Sequence, residues 1–95
     1  MDLSLRPLRA EDLNWCTLDD GGLITDPVDG KSWALNPVGL LIWDHCDGGR
    51  NLAQIEATIC VSFDIDRITA HRDLEEFLLN MEAEGLVRLG YLAAS

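Results

Sequence analysis

The sequence predicts a single α+β domain in which three antiparallel strands precede three α-helices. With 95 residues, the chain is too short to divide into two stable cores. Its first third holds short apolar runs separated by Asp and Gly turn residues, which is the pattern of a β-meander. From Asn36 onward the apolar residues recur at helical spacing instead. The domain is expected to span residues 1–95, with its core at about residues 5–90.

Three strands are expected, at residues 13–18, 23–26 and 31–35. The turns between them are placed at residues 19–22 and 27–30. Both turns are rich in Asp and Gly, which supply the hydrogen bonds and the positive φ that tight hairpins require.

The first two helices are predicted from their capping residues. Asn36 is expected to cap the first helix, with Pro37 in its first turn. This helix should end at residues 46–49, where a glycine can adopt the left-handed conformation that commonly ends a helix. Asn51 is expected to cap the second helix. Helical spacing then predicts one buried face on that helix, formed by Leu52, Ile55 and Ile59.

The third helix is predicted to begin at Asp64 as its N-cap, with Asp66 adding negative charge near the N-terminus, and to run to Glu84. Gly85 is expected to end it. Residues 86–89 are predicted to form a short extended segment, and the last few residues a frayed tail. This order of elements indicates a winged helix-turn-helix-like architecture.

The third helix carries two stripes of apolar residues. The core stripe consists of Ala70, Leu74, Phe77, Leu78 and Met81. A second stripe, more than about 90° away at helical spacing, consists of Ile68, Arg72, Glu75 and Leu79. Two aliphatic side chains beside two charged ones are interpreted as the wall of a binding groove. The alternative is that Ile68 and Leu79 are ordinary exposed aliphatics, or that Ile68 packs under the preceding loop.

The third strand is expected to leave one edge of the meander open. An extended peptide can add to such an edge through main-chain hydrogen bonds while its side chains enter pockets on a neighbouring helix. Lys31 and Ser32 are expected to keep the edge polar enough to resist aggregation. The predicted peptide-binding residues are therefore Lys31, Ser32, Trp33, Ala34 and Leu35 on the strand, and Ile68, Arg72, Glu75 and Leu79 on the helix.

The charge of the chain excludes several partners. Its net charge is −10, and residues 64–84 contain seven acidic residues and two arginines. A recognition helix of this composition would repel phosphate backbones, and anionic membranes would be repelled likewise. The chain has no signal-peptide-like or membrane-spanning apolar run, so we expect a cytoplasmic protein with reduced cysteines.

Residues suited to catalysis or metal binding do not converge in a recognised pattern. His45 is adjacent to Cys46, while Cys60 and His71 lie elsewhere, and these spacings match no standard zinc site. No third group is marked to orient a Cys–His nucleophile. We therefore predict a protein that is not an enzyme and has no metal site or cofactor. A small redox or metal protein built on the three cysteines, which include Cys16, is an alternative.

Several segments together resemble the PqqD family. Residues 30–37 read Gly-Lys-Ser-Trp-Ala-Leu-Asn-Pro, and residues 42–48 read Ile-Trp-Asp-His-Cys-Asp-Gly. Residues 51–55 resemble the opening of that family's second helix, and residues 75–87 the ending of its third. The resemblance covers nearly the whole chain.

The resemblance implies a recognition element for ribosomally synthesised, post-translationally modified peptides. Such a domain holds the leader of a precursor peptide as an added strand against its third strand and third helix. It presents the precursor to a modifying enzyme, which in pyrroloquinoline quinone (PQQ) biosynthesis is a radical SAM protein. The motifs do not choose between this pathway and others, such as that of lasso peptides. A winged-helix regulator that acts through protein contacts or as a homodimer is the main alternative.

Overall fold

The computed structural model describes residues 1–89, so the predicted frayed tail lies outside the described residues. The strands are β1 (Leu8–Arg9), β2 (Asn14–Leu18), β3 (Gly21–Thr25), β4 (Ser32–Leu35) and β5 (Val87–Arg88). The helices are α1 (Pro37–His45), α2 (Leu52–Phe63) and α3 (Arg67–Ala83). This order confirms the predicted α+β, winged helix-turn-helix-like architecture.

The main sheet is an antiparallel meander in the order β2–β3–β4. Its register aligns Trp15 with Ile24 and Ile24 with Trp33, so these three side chains form one row on the core-facing side. Ile24 in the middle of the row is fully buried. Since β3 is central, β2 and β4 are the two edges of this sheet within the described residues.

The predicted turn at residues 19–22 is too long by two residues. Gly21 and Gly22 belong to β3, where they pair with Leu18 and Thr17. Gly21 has a φ of 149°, and a Cβ there would overlap the carbonyl oxygen of Leu35. Glycine is therefore needed inside this strand because another backbone passes close to it.

A second, two-stranded sheet joins the two ends of the described chain. β1 pairs antiparallel with β5, with Leu8 opposite Arg88 and Arg9 opposite Val87. The predicted extended segment at residues 86–89 is confirmed at Val87–Arg88, but the sequence did not predict β1. A strand of two residues has no alternation that could reveal it.

Two of the three predicted helix caps are confirmed. The side chain of Asn36 accepts a hydrogen bond from Gly39 N at 2.7 Å, and Asn51 forms a capping box with Gln54. The predicted cap at Asp64 is wrong, because Asp64 adopts a left-handed conformation (φ 51°) at the end of α2. Asp66 caps α3 and accepts from Thr69 N at 2.7 Å, a bond that lowers the pKa of its carboxyl. The tight connection from α2 to α3 requires this left-handed residue, which Asp tolerates.

The core lies between the main sheet and the three helices. Its largest fully buried side chains include Trp43, Ile42, Leu52, Ile55, Ile59, Leu74 and Leu78. The predicted core stripe of α3 is confirmed at Ala70, Leu74, Leu78 and Met81, and Phe77 at its margin is half-buried. None of the helices in residues 1–89 is long and apolar enough to cross a membrane.

A buried carboxylate joins α2 to α3 and fixes the position of α3. Glu56 on α2 is 3% exposed. Its two oxygens lie 2.9 Å from His71 Nδ1 and 3.2 Å from Arg67 Nε. Because both partners are on α3, this contact sets the register of the two helices as well as their spacing.

Candidate functional site

The strand part of the site is the outer edge of β4. One side of β4 pairs with β3, from Ser32 opposite Thr25 to Leu35 opposite Gly22. The other side pairs with no strand in residues 1–89. Every second residue of such an edge directs its N–H and C=O groups outward, where an added strand can bond to them.

The side chains of β4 alternate between the core and the solvent. Leu35 is buried and Trp33 is half-buried against the core, while Ser32 and Ala34 are exposed. Lys31 precedes the strand and is exposed. Its backbone is fixed in the turn, since its N–H donates to Asp29 Oδ1 at 2.9 Å and its C=O accepts from the N–H of Asp26 at 2.8 Å.

A groove of about 260 Å³ begins where β4 ends. We call it the α1–α3 groove. Its first side is formed by Asn36, Val38, Gly39 and Ile42, which cap or belong to α1. Its second side is formed by Asp73, Glu76, Phe77 and Asn80, all on α3. Since Asn36 directly follows Leu35, the groove lies next to the C-terminal end of β4.

The groove has an aromatic base and an acidic rim. Phe77 contacts α1 at Gly39, where an added Cβ would lie 3.0 Å from Phe77 Cε1. Asp73 and Glu76 supply two carboxylates, and no Lys or Arg is among the lining residues of this groove in the described chain. The groove is therefore suited to apolar side chains that are accompanied by positive charge.

The predicted second stripe of α3 lies on another face of the helix. Ile68 is 82% exposed and Leu79 is 49% exposed. At about 100° per residue, the centre of the stripe is about 120° around the helix axis from the centre of the groove-lining face. The structure therefore places these side chains on the outer surface of α3, outside the α1–α3 groove.

The two charged members of the stripe differ in their surroundings. Arg72 is exposed, and its Nε lies 3.9 Å from Oδ1 of Asp73, which lines the groove. Glu75 is on the opposite margin of the stripe, where its Oε2 lies 3.8 Å from His71 Nε2. Arg72 is thus at the rim of the groove, whereas Glu75 points toward the α2 side of α3.

Sequence reasoning missed the lining residues on α3. Helical spacing places Phe77 in the core stripe and marks no binding role for Asp73, Glu76 or Asn80. One local signal was available, namely a glycine at position 39 inside α1, where glycine normally weakens a helix. Such a glycine indicates close packing against another element, but it does not identify that element.

The three cysteines are free thiols in different environments. Cys16 is exposed, Cys60 is half-buried and Cys46 is buried. Burial raises the pKa of the Cys46 thiol to about 12, and its Sγ donates to Ile42 O at 3.0 Å. Cys46 is therefore a structural thiol with little nucleophilic character. In residues 1–89, no three His, Cys, Asp or Glu side chains are grouped so that they could hold a metal ion.

These features define a class of protein, a small α+β domain whose open strand edge leads into a groove between two helices. The chain belongs to the PqqD family, because the family model described as "Coenzyme PQQ synthesis protein D (PqqD)" matches residues 21–87. The match includes β3, β4, all three helices and both sides of the groove. The comparison with curated proteins returned no match.

Two solved structures are similar to this chain. "TbiB1 in Complex with the TbiA(beta) Leader Peptide" is 27% identical with a TM-score of 0.76, and the alignment covers 90% of this chain and 98% of that one. "Lasso peptide synthetase B1 complexed with the leader peptide" is 19% identical with a TM-score of 0.76, covering 87% of this chain and 98% of that one. Both proteins are in complex with a leader peptide. At 19% identity, the similarity to the lasso peptide synthetase B1 structure shows a shared fold only.

Proposed function

We propose that this protein is a non-catalytic peptide chaperone that binds the leader of a ribosomally synthesised precursor peptide. The leader adds as a strand to the edge of β4, antiparallel to it. Membership of the PqqD family and the likeness to TbiB1, which is in complex with a leader peptide, support this proposal.

The observation that carries the proposal is the continuity between β4 and the α1–α3 groove. Main-chain bonds to β4 give affinity without regard to sequence, and a groove beside the strand selects the side chains that fit it. Leu35 ends the strand and Asn36 lines the groove. One extended peptide can therefore use both features at once.

On the helix side, we propose two adjacent contact regions. Apolar leader side chains enter the α1–α3 groove and contact Phe77. Where the peptide crosses the rim, it meets the outer stripe, in which Ile68 and Leu79 supply exposed apolar surface. Arg72 pairs there with a leader carboxylate, and Glu75 marks the far margin of the contact region. Lys31 to Leu35 supply the strand edge.

The second partner is the enzyme that modifies the precursor. Family membership favours a radical SAM enzyme, as in PQQ biosynthesis, while an enzyme of lasso-peptide type is the alternative. The chaperone itself supplies no reacting group, since its role is to hold the leader so that the rest of the precursor reaches the enzyme. We place this activity in the cytoplasm, where ribosomal precursors are made.

The test is a calorimetric titration of the full chain with two separate halves of the precursor peptide encoded beside its gene. We expect the leader half to bind with one-to-one stoichiometry and the remaining half to show no binding. Addition of the protein should also raise the modification rate of the intact precursor by the partner enzyme at least about tenfold, a transition-state gain of about 1.4 kcal/mol. A stable homodimer that ignores the leader would instead favour the winged-helix regulator.

A further inference from the structure

The opposite edge of the main sheet, β2, is also open. All five residues of Asn14–Leu18 are exposed, and none carries a charge. Trp15 is 36% exposed and Leu18 is 57% exposed. Proteins usually protect an edge strand with charge, proline or a covering element, so an exposed edge without charge indicates a surface that is covered by a partner.

A groove runs beside this edge, between β2 and the outer face of α1. We call it the α1–β2 groove. It has a volume of about 370 Å³, and its apolar walls include Trp15, Pro37, Leu40, Leu41 and Phe63. The combination of an open strand and a groove on a neighbouring helix thus occurs twice in this fold, on opposite edges of one sheet.

The charges around β2 define the chemistry of the segment that would cover it. Asp44 lines the α1–β2 groove, Asp12 lies two residues before the strand, and Asp19 follows it directly. No Lys or Arg is found among the groove residues that the structure describes. The guanidinium of Arg9 lies over the ring of Trp15, with Cζ 5.3 Å from the ring centroid. Its charge is already engaged, since it donates to the main-chain oxygens of Trp43 and Asp44 at 2.9 and 2.8 Å. An apolar segment flanked by basic residues fits this surface.

A second copy of this chain fits the same surface poorly. Antiparallel pairing of two β2 strands about Cys16 would bring Asp12 of one copy, in the turn before β2, towards Asp20 of the other, in the turn after it. The repulsion between these like charges disfavours such a pair. Each copy also brings a net charge of −10, which opposes association over a longer range.

We propose that β2 and the α1–β2 groove form a second docking surface, which takes up an extended apolar segment of the modifying enzyme with Lys or Arg at its ends. The chemistry of the segment follows from this surface alone, whereas its assignment to the modifying enzyme rests on the proposed function. With the leader on β4 and the enzyme on β2, the sheet would hold both partners side by side without competition between them.

The probe is a blocked seven-residue peptide, Lys-Val-Thr-Val-Thr-Val-Lys, titrated to millimolar concentration into the isotopically labelled full chain. Its matched control has Glu in place of both Lys residues. We expect amide shifts at Asn14–Leu18 and along the outer face of α1, and binding of the Lys peptide about tenfold tighter than that of the Glu peptide, as two favourable surface ion pairs allow.

Two variants show whether the shifts report strand addition at β2. Cys16→Lys places a charge on the exposed edge and should abolish the response to the Lys peptide. Val61→Lys adds the same charge to an 84% exposed position on α2 and should leave the response unchanged. Leader affinity should stay within about twofold of wild type in both variants, since neither position belongs to the β4 site.

Four results would overturn the proposal. They are an absence of shifts at millimolar peptide, shifts confined to β4, equal binding of both peptides, and concentration-dependent shifts at β2 without peptide, which would assign the edge to a second copy. These results are distinct from failure of the proposed function, which would appear as a lack of leader binding at β4 whatever happens at β2.

Discussion

Phe77 on α3 packs against the backbone of α1 at Gly39, where an added Cβ would lie 3.0 Å from Phe77 Cε1. Glycine inside a helix costs about 1 kcal/mol relative to alanine. At this position it allows the two helices to approach each other closely. The contact determines the depth of the α1–α3 groove, which both residues line.

Gly39→Ala should weaken leader binding about threefold to tenfold. The added methyl group would lie 3.0 Å from Phe77 Cε1, so the ring must shift by a few tenths of an ångström, which narrows the groove. The loss of a few ring contacts is worth about 1 kcal/mol. The thermal midpoint should change little, because the gain in helix propensity offsets the crowding. Calorimetric titration together with a thermal scan tests both statements, and an unchanged affinity would show that the leader does not enter this groove.

Leu79→Asp should weaken leader binding several-fold and leave folding nearly unchanged. Leu79 is 49% exposed on the outer stripe, so the substitution removes apolar contact surface without opening the core. Val61→Asp is the matched control, since it places the same charge on an exposed aliphatic position of α2. If both variants bind the leader as wild type does, the outer stripe of α3 takes no part in binding.

Gly21→Ala should destabilise the fold far more than Gly30→Ala. Both glycines have a positive φ, but a Cβ on Gly21 would overlap Leu35 O, whereas a Cβ on Gly30 meets no atom within 4 Å. We expect a loss of about 1–2 kcal/mol for Gly30→Ala from backbone strain alone, and of about 3 kcal/mol or more for Gly21→Ala. Urea denaturation measures both, and equal losses would contradict the close approach of β3 and β4.

The exposed thiol of Cys16 should react readily with an alkylating reagent at pH 8, and the buried thiol of Cys46 should not. Cys16 is exposed, while burial raises the pKa of Cys46 to about 12, so less than about one part in a thousand of Cys46 is thiolate at that pH. Mass spectrometry after brief iodoacetamide treatment should show modification at Cys16 and none at Cys46. Rapid alkylation of Cys46 in the folded protein would revive the redox alternative.

Sequence reasoning succeeded where local chemistry decides the structure. The caps at Asn36 and Asn51 are confirmed because each needs only its own side chain and an amide two or three residues later. The cap at Asp64 was wrong because two aspartates lie close together, and the left-handed turn between α2 and α3 takes the first of them.

The groove could not be predicted because it depends on how two helices cross. Helical periodicity identified the core stripe of α3, but it does not show which of the remaining faces borders a groove. The position of α1, with Gly39 against Phe77, decides which of these faces becomes concave. This contact spans 38 positions in the sequence (77 minus 39), and no local signal connects its two ends. The open edge of β4 could be predicted, because in a meander of three consecutive strands the first and the last strand are always the two edges.

The most direct test of leader binding by β4 is an amide chemical-shift map of the isotopically labelled full chain, recorded during titration with the leader peptide. Strand addition predicts large shifts at Ser32–Leu35, slowed hydrogen exchange of the outward-facing amides of β4, and shifts around Asn36 and Phe77 in the α1–α3 groove. Saturable leader binding that leaves the amides of β4 unshifted and unprotected would contradict the account.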